Sequence, residues 1–495
     1  MSDTFDMVII GAGLSGIGSA CRYVTEFPDG QFAVLESREA IGGTWDLFRY
    51  PGIRSDSDML TLGYDFRPWP GVKTLAGGPA IKAYVEDTAR AYGIDDHIQF
   101  HSRVIAADFD TSTDLWTLTI NDTCDGSQRT IRTRFVLSCA GYYRYDKGHD
   151  PHFDGREDFA GDIVHPQFWP EDYDYADKRI AVIGSGATAV TLVPELAKTA
   201  RHVVQVQRTP TYVASLPSED PVMKITDRIL SKKLSYRINR WKNVKLAGSI
   251  YRRAKKNPAK TRRNIRKRAI KALGKEYPVD IHFNPPYEPW DQRLCVVPEG
   301  DMFKAINRGE ASIVTGQIDR FVDAGILMQD GTLVEADIIV TATGLEMNFG
   351  RNYPIAIDGN VYDQSEHFLF KGAMTSDLPN MIAVTGYTNA SWTLRADLLG
   401  RYLIRLMKYM RERGFTRVMP VAPEGMVRHP VSDFQSGYFR RVIDTLPRQG
   451  DRMPWLNVQN YKHDVKHLIE APIEDDALHF SQVDTKAEPL PEAAE

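Results

Sequence analysis

Short, mostly apolar runs, each closed by a glycine or a polar cluster, punctuate this chain and predict strands buried on both faces. Met7–Ile10 runs into Gly11 and Arg179–Ile183 into Gly184, while Phe135–Gly141 and Asp337–Gly344 end on glycines of their own. Phe32–Leu35 closes on Glu36, and Val203–Val206 on Gln207-Arg208-Thr209. Such strands need helices over both faces, which predicts an α/β fold. The series of strand, glycine loop, helix and second strand occurs at Gly11 and again at Gly184, so two Rossmann-like dinucleotide-binding domains are expected. The chain should leave the first near Gly141 and return to it near Gly344. Alternating residues around Val104 and Trp116 predict a small antiparallel meander attached to the first domain. The expected division is 1–145 for the first domain, 146–343 for the second, and 344–495 for the rest of the first with a C-terminal segment.

The two loops differ in what they ask for. In Gly11-Ala-Gly13-Leu-Ser15-Gly16 the first glycine permits a tight turn, the second lets backbone approach a pyrophosphate, and the third lets helix and strand pack closely. The helix expected to begin near Ser15 offers unpaired amides and a partial positive charge. Glu36, about 20 residues on, can accept hydrogen bonds from a ribose 2′-hydroxyl and would repel a 2′-phosphate. That fits the adenosine half of FAD or NAD. In the second loop, Gly184-Ser185-Gly186-Ala187-Thr188-Ala189, alanine takes the third place, and the following strand ends in Gln207, Arg208 and Thr209. A guanidinium pairs with a 2′-phosphate through two parallel hydrogen bonds, so this loop points to NADPH. FAD in the first domain and NADPH in the second is the reading that gives electrons a direction.

Composition narrows the class. At 495 residues and 42% apolar side chains the chain can bury a core for two or three domains. Its start runs directly into a strand, nothing reads as a signal peptide, and no stretch is apolar for the roughly 18 residues a bilayer span needs. Cys21, Cys124, Cys139 and Cys295 are scattered without C-x-x-C spacing, so neither a disulfide framework nor a metal site is expected, and a cytoplasmic location fits. The formal charge of -4 conceals a segregation: Lys224 to Glu276 holds 20 Lys/Arg against Asp227 and Glu276, leaving 41 bases against 63 acids elsewhere. This basic insert, about 215–285 in the second domain, carries Ile225, Ile229, Leu234, Ile238, Trp241 and Val244 at steps of three to five residues, the period of an amphipathic helix. A solvated helical face, a patch for anionic lipid headgroups and a nucleic-acid surface all stay open for it; the last is disfavoured, because no aromatic stacking platform accompanies it.

Between the loops stands Phe159-Ala-Gly161-Asp-Ile-Val-His165-Pro-Gln-Phe-Trp169-Pro170. It resembles the fingerprint F-x-G-x-x-x-H-x-x-x-W-P of type I Baeyer-Villiger monooxygenases at every defined position. A second pattern of that family, G-G-x-W-x-x-x-x-Y-P-G-x-x-x-D, is matched from Gly42 through Trp45 and Tyr50-Pro51-Gly52 to Asp56. Pro289–Leu294 and Gly386–Trp392 resemble the branch that includes the ethionamide-activating enzyme.

The resemblance implies NADPH- and O2-dependent conversion of ketones to esters or lactones through a C4a-peroxyflavin, with sulfur oxidation of thioethers as a second activity. It implies Arg293 as the fixed cation of that chemistry and Asp56 as its carboxylate partner. It places the flavin against Thr44, Trp45, Asp46 and Leu47, against Arg54, Ser55 and Asp56, and against the backbone of Val104. Phe159, Gly161, His165 and Trp169 are expected at a hinge between the domains. Gln292 departs from better-known members, which carry lysine before the arginine, so NADPH selectivity should rest on Arg208 and Thr209. Trp455 is read either as a lid residue or as a core anchor. The alternatives are a flavin monooxygenase that oxidises only nitrogen or sulfur, and a basic membrane- or nucleic-acid-binding protein on a non-catalytic fold. A flavin disulfide reductase is disfavoured, since no C-x-x-x-x-C pair follows the first loop.

Overall fold

A computed structural model of the protein describes residues 4–71, 73–292, 294–348, 353–434 and 436–483. Thr4–Ile10 pairs in parallel with Phe32–Leu35 on one side and Gln128–Ser138 on the other. Ile98–Gln99 and Met381–Ala383 extend the sheet in parallel beyond them. The near half of Gln128–Ser138 also pairs antiparallel with Leu115–Asp122, which pairs with Ser102–Asp110: the expected meander is a continuation of the same sheet. Each face has its own core. Helices Leu14–Glu26 and Trp392–Arg413 cover one with Ile17, Leu398, Leu399 and Tyr402, and the other is filled by Val8, Val104, Phe109, Trp116 and Ile120.

The second sheet is wholly parallel, in the order Ala311–Thr315, His202–Gln207, Arg179–Ile183, Ile338–Thr341, Asp162–Val164. Helices Ala187–Leu196 and Asp301–Asn307 bury Leu192, Val193, Met302 and Phe303 against one face. The other is covered by a small antiparallel sheet that contributes Phe321, Ile326 and Met328. Both strand series of the sequence are therefore real, and the fold is the expected α/β arrangement. Tyr143–Gly148 leads from the first sheet toward the second, Leu345–Met347 returns, and the two pair antiparallel.

The basic stretch forms helices Pro221–Ile229, Lys232–Lys256 and Pro258–Leu273. The period read from Ile225 to Val244 thus spans two helices, because the Ser231 hydroxyl accepts from the Leu234 amide and starts a new one. Their buried face is largely polar: Tyr236 donates to the Tyr64 carbonyl (2.9 Å), Asn239 to the Thr226 hydroxyl (2.7 Å), and Arg240 Nη1 to the carbonyls of Leu60 and Gly63 (2.7 Å each). Arg240 so satisfies carbonyls at the end of the short helix Met59–Leu62, fastening the basic helices to the first domain's side. Of the periodic apolar residues, Ile225, Ile229, Leu234, Ile238 and Trp241 are left facing outward. Among the described residues no helix is long and apolar enough to cross a membrane.

Trp455 is a core anchor, packed edge-on against Phe368 and Phe370 at 1% exposure. Trp455→Ala is expected to destabilise the protein by about 3–5 kcal/mol, read as a lower denaturation midpoint; an unchanged midpoint would contradict the core assignment.

Candidate active site

Three cavities adjoin the glycine loops. The first, about 320 Å3, is lined by Gly11, Gly13, Ser15, Glu36, Arg38, Thr44, Trp45 and Val104, among others. Gly11 has φ +102°, and a Cβ there would lie 2.6 Å from the Cys139 carbonyl oxygen, so the turn admits no side chain. Helix Leu14–Glu26 starts at Gly13 without a side-chain cap or an acid in its first turn, which leaves its first amides for a ligand. Gly16 serves packing, since a Cβ would meet the Gly11 carbonyl at 1.9 Å. Glu36 is buried and accepts from the amides of Ala12 (2.8 Å) and Arg38 (3.0 Å). Burial pushes its carboxyl above the ordinary range against those amide bonds. An acceptor fixed beside open helix amides fits the ribose and pyrophosphate of a dinucleotide.

The second cavity, about 890 Å3, is lined by Gly184 through Thr188, Arg208 and Thr209. Gly184 has φ +137°, and a Cβ would lie 2.3 Å from the Ala342 carbonyl oxygen, whereas Gly186 faces open space. Helix Ala187–Leu196 again begins uncapped. Ser185 Oγ donates to the Thr209 carbonyl at 2.7 Å, tying the loop to the end of the next strand. Arg208 stands exposed at the rim with no carboxylate partner among the described residues. Gln207 is turned inward, donating to the His282 carbonyl and the Thr315 hydroxyl (2.9 Å each), and Ala189 is fully buried in the helix packing.

The third cavity, about 970 Å3, joins the other two. It shares Thr44, Trp45, Tyr142 and Trp392 with the first and Tyr143, Ala187, Thr188 and Gln292 with the second. Arg54, Ser55 and Asp56 line it together. Arg54 Nη1 pairs with Asp301 Oδ2 at 2.7 Å, while its Nε and Nη2 are buried with no hydrogen-bond partner. Two unsatisfied donors on a fixed cation constitute a site for an anion or carbonyl. Arg293 lies outside the described residues; Gln292 and Leu294 both line this cavity. Asp46 and Leu47 face elsewhere. Asp46 is bound by Lys82 (2.7 Å) and Arg38 (2.5 Å); burial would raise its carboxyl, and these cations outweigh it and hold the group below its ordinary value. Leu47, with Phe48 and Tyr50, packs into the second sheet's core.

Comparison with known proteins gives this geometry a family. A profile described as flavin-binding monooxygenase-like matches residues 77–280. The FAD-containing monooxygenase EthA of Mycolicibacterium smegmatis is 46% identical over 484 residues, covering 97% of this chain and 98% of that protein. The chain belongs to the flavin-binding monooxygenase family. Among solved structures, an oxidised steroid monooxygenase bound to NADP shares the fold of this flavin monooxygenase at TM-score 0.77 and 20% identity. A cyclohexanone monooxygenase bound to ε-caprolactone does so at TM-score 0.76 and 19% identity, each alignment covering 97% of this chain and 100% of that one.

In this monooxygenase the fingerprint joins the second sheet to the linkers. Phe159 is buried under that sheet, and Gly161 is required by close approach, since a Cβ would meet the Asp337 carbonyl oxygen at 2.2 Å. Asp162–Val164 is the sheet's edge strand. The Gln167 side chain then donates to the carbonyls of Arg144 (2.8 Å) and Tyr145 (3.0 Å) in the outgoing linker, and Trp169 packs edge-on to Tyr173 and Tyr175. His165 Nδ1 accepts from the Gln167 amide (3.2 Å), and its ring fills the space where a Cβ on Gly148 would stand.

Trp392 ends the Gly386–Trp392 segment noted in the sequence, whereas Arg395 and Arg440 carry no sequence motif. Trp392 donates to the Ser15 hydroxyl (3.1 Å) and stacks on Tyr142 at 4.4 Å, closing the space between the first and third cavities. Buried Arg395 donates to Asn457 Oδ1 (2.9 Å) and Tyr387 to Asp464 (2.7 Å), holding two distant segments to one wall. Arg440 lines the second cavity opposite the glycine loop.

Burial holds the His165 ring below its ordinary value near 6.5, and the Arg156 charge assists against that of Asp150. The junction therefore stabilises the neutral ring: its contribution is complete above that value and is lost as pH falls through the lower folded one. Relative to a His165→Asn variant, the wild-type unfolding midpoint should drop on acidification below about pH 6. Parallel pH profiles for the two proteins would contradict this.

Proposed function

We propose that the protein is an NADPH- and O2-dependent Baeyer-Villiger monooxygenase that holds FAD in the first cavity and NADPH in the second. It converts ketones, aliphatic and long-chain ones included, to esters or lactones, and oxidises thioethers as a second activity. The observation that carries this is the third cavity, whose wall is built jointly by Thr44 and Trp45 of the first cavity, Ala187 and Thr188 of the second glycine loop, and the motif residues Arg54 to Asp56. Bound FAD would supply the electrons that divide O2 between substrate and water, and NADPH the hydride that renews them. Ketone, O2, NADPH and one proton then balance ester, water and NADP+.

The chain's own residues do the rest. The open amides after Gly13 and Gly186 take the two pyrophosphates, Glu36 takes a ribose hydroxyl, and Arg208, Thr209 and Ser185 surround the 2′-phosphate. Arg293 is the cation that offsets negative charge developing on oxygen, and Asp56 orients it; Arg54 adds two donors already fixed in place. Trp392, Tyr142 and the 387–394 and 457–462 segments keep bulk water from the reacting oxygen. The 1–145 and 344–495 segments form the flavin domain and 146–343 the NADPH domain, with His165 and Trp169 coupling them. A cytoplasmic enzyme touching an anionic membrane surface through its basic helices completes the reading.

Incubation with 2-octanone, NADPH and O2 should yield an ester, and failure to form any ester would leave an enzyme of nitrogen or sulfur oxidation only. Arg293→Ala should retain flavin reduction by NADPH and lose the ester; full ester yield would contradict its role. Arg208→Ala should raise KM for NADPH by about 10- to 100-fold, from loss of a charge-assisted contact, and leave NADH unaffected. Equal losses with both nucleotides would place the 2′-phosphate elsewhere.

A further inference from the structure

Six apolar side chains of the first two basic helices point away from the protein. Ile225, Ile229 and Trp241 are 62%, 72% and 61% exposed, and Val222, Leu234 and Ile238 are exposed beside them. On helix Lys232–Lys256 the series Leu234, Ile238, Trp241, Lys245, Gly248, Arg252 advances by four, three, four, three and four residues, which is a single helical stripe. Its first three members are the exposed apolar ones; its last three line the third cavity with Val244, Ala247 and Tyr251. Trp241 and Gly248 are separated by about 10 Å of helix rise. The outward apolar stripe and the wall of the catalytic cavity are thus one continuous surface.

Cations surround the stripe. Of the 20 Lys/Arg between Lys224 and Glu276, only Lys224, Lys242, Lys255 and Arg266 pair with carboxylates among the described residues. Arg228, Lys232, Lys233 and Arg237 flank the apolar residues and are exposed. Lys245 Nζ lies 3.8 Å from the Trp241 ring centroid, so an aromatic and a cation share one spot.

We infer that this face docks on an anionic lipid bilayer and that lipophilic substrate passes from the bilayer along the stripe into the third cavity. Branched aliphatic residues beside cations suit the boundary between headgroups and acyl chains, where each finds its own solvent. A second copy of the chain would bring its own cations against these in a two-fold contact, and repulsion opposes it. Nucleic acid satisfies the cations and leaves Ile225, Ile229 and Ile238 without a partner. Docking stands independently of the reaction; the delivery step rests on the proposed ketone oxidation.

The test sediments the flavin-loaded protein with vesicles of phosphatidylcholine and phosphatidylglycerol in equal amounts, and with vesicles of phosphatidylcholine alone. An Ile225→Ser, Ile229→Ser, Trp241→Ser variant, changed only at exposed positions outside the cavity wall, is run beside it. The wild type should bind the anionic vesicles roughly tenfold more tightly than the neutral ones, with salt weakening the difference, and the variant should lose about tenfold. Both proteins should oxidise free 2-octanone equally, while the variant should turn over a water-insoluble long-chain methyl ketone carried in anionic vesicles several-fold more slowly. No binding to anionic vesicles overturns docking, as does a lipid-free dimer that the variant abolishes, or binding confined to a DNA fragment. Vesicle binding with equal turnover of the carried ketone overturns delivery. Failure of both proteins on 2-octanone overturns the ketone reading and leaves the sedimentation result to decide docking.

Discussion

The outgoing linker Tyr143–Gly148 and the returning linker Leu345–Met347 hydrogen-bond as an antiparallel pair, and the shared walls of the third cavity depend on where that pair sets the second sheet. Tyr143 and Leu345 themselves line both the second and third cavities. Gln167 clasps the outgoing linker through two carbonyls, and Thr343 Oγ1 donates to the His149 carbonyl across the pair. The same joint is braced by Leu47, Phe48 and Tyr50, which follow Thr44 and Trp45 and pack into the second sheet's core beside helix Ala187–Leu196. The linker pair and this shared packing together fix where helix Ala187–Leu196 begins relative to Thr44 and Trp45.

Fixed charge follows the same geometry. Arg54 is placed on the first domain's side and is held by Asp301 of the second, so its two unpaired donors are set by both. Asp46, enclosed by Arg38 and Lys82, anchors the end of the loop that presents Thr44 and Trp45. A buried carboxylate with two cations has one geometry, whereas an apolar contact would have tolerated several. The polar groups around the cavity thus secure position for the residues that face it.

Much of this was legible in the sequence. The glycine loops and the strands after them report local constraints, a left-handed turn or a close backbone approach, and local constraints leave local signatures. Glu36 and Arg208, at the ends of the strands that follow, line the first and second cavities as their place after the loops implied. The resemblance added Asp56 to the cavity wall, though it also grouped with it Asp46 and Leu47, which serve the loop and the second core. What stayed hidden depends on tertiary geometry. Arg440 reaches the second cavity, and Arg395 braces Asn457 in the wall of the third, from far along the chain, and nothing around them marks that end point; Trp392 lay in a segment that the resemblance had already picked out. The basic stretch misleads most: its helical period predicted an amphipathic helix, but the buried side is taken by Tyr236, Asn239 and Arg240, whose hydrogen bonds have no periodicity to read.

The central claim is that both nucleotide sites open on one cavity, close enough for direct hydride transfer. Anaerobic mixing of the purified yellow protein with one equivalent of NADPH deuterated at the transferred nicotinamide C4 position tests it. The account predicts complete bleaching of the flavin within a single turnover, slower than with unlabelled NADPH. A flavin that stays oxidised in the presence of bound NADPH would contradict it.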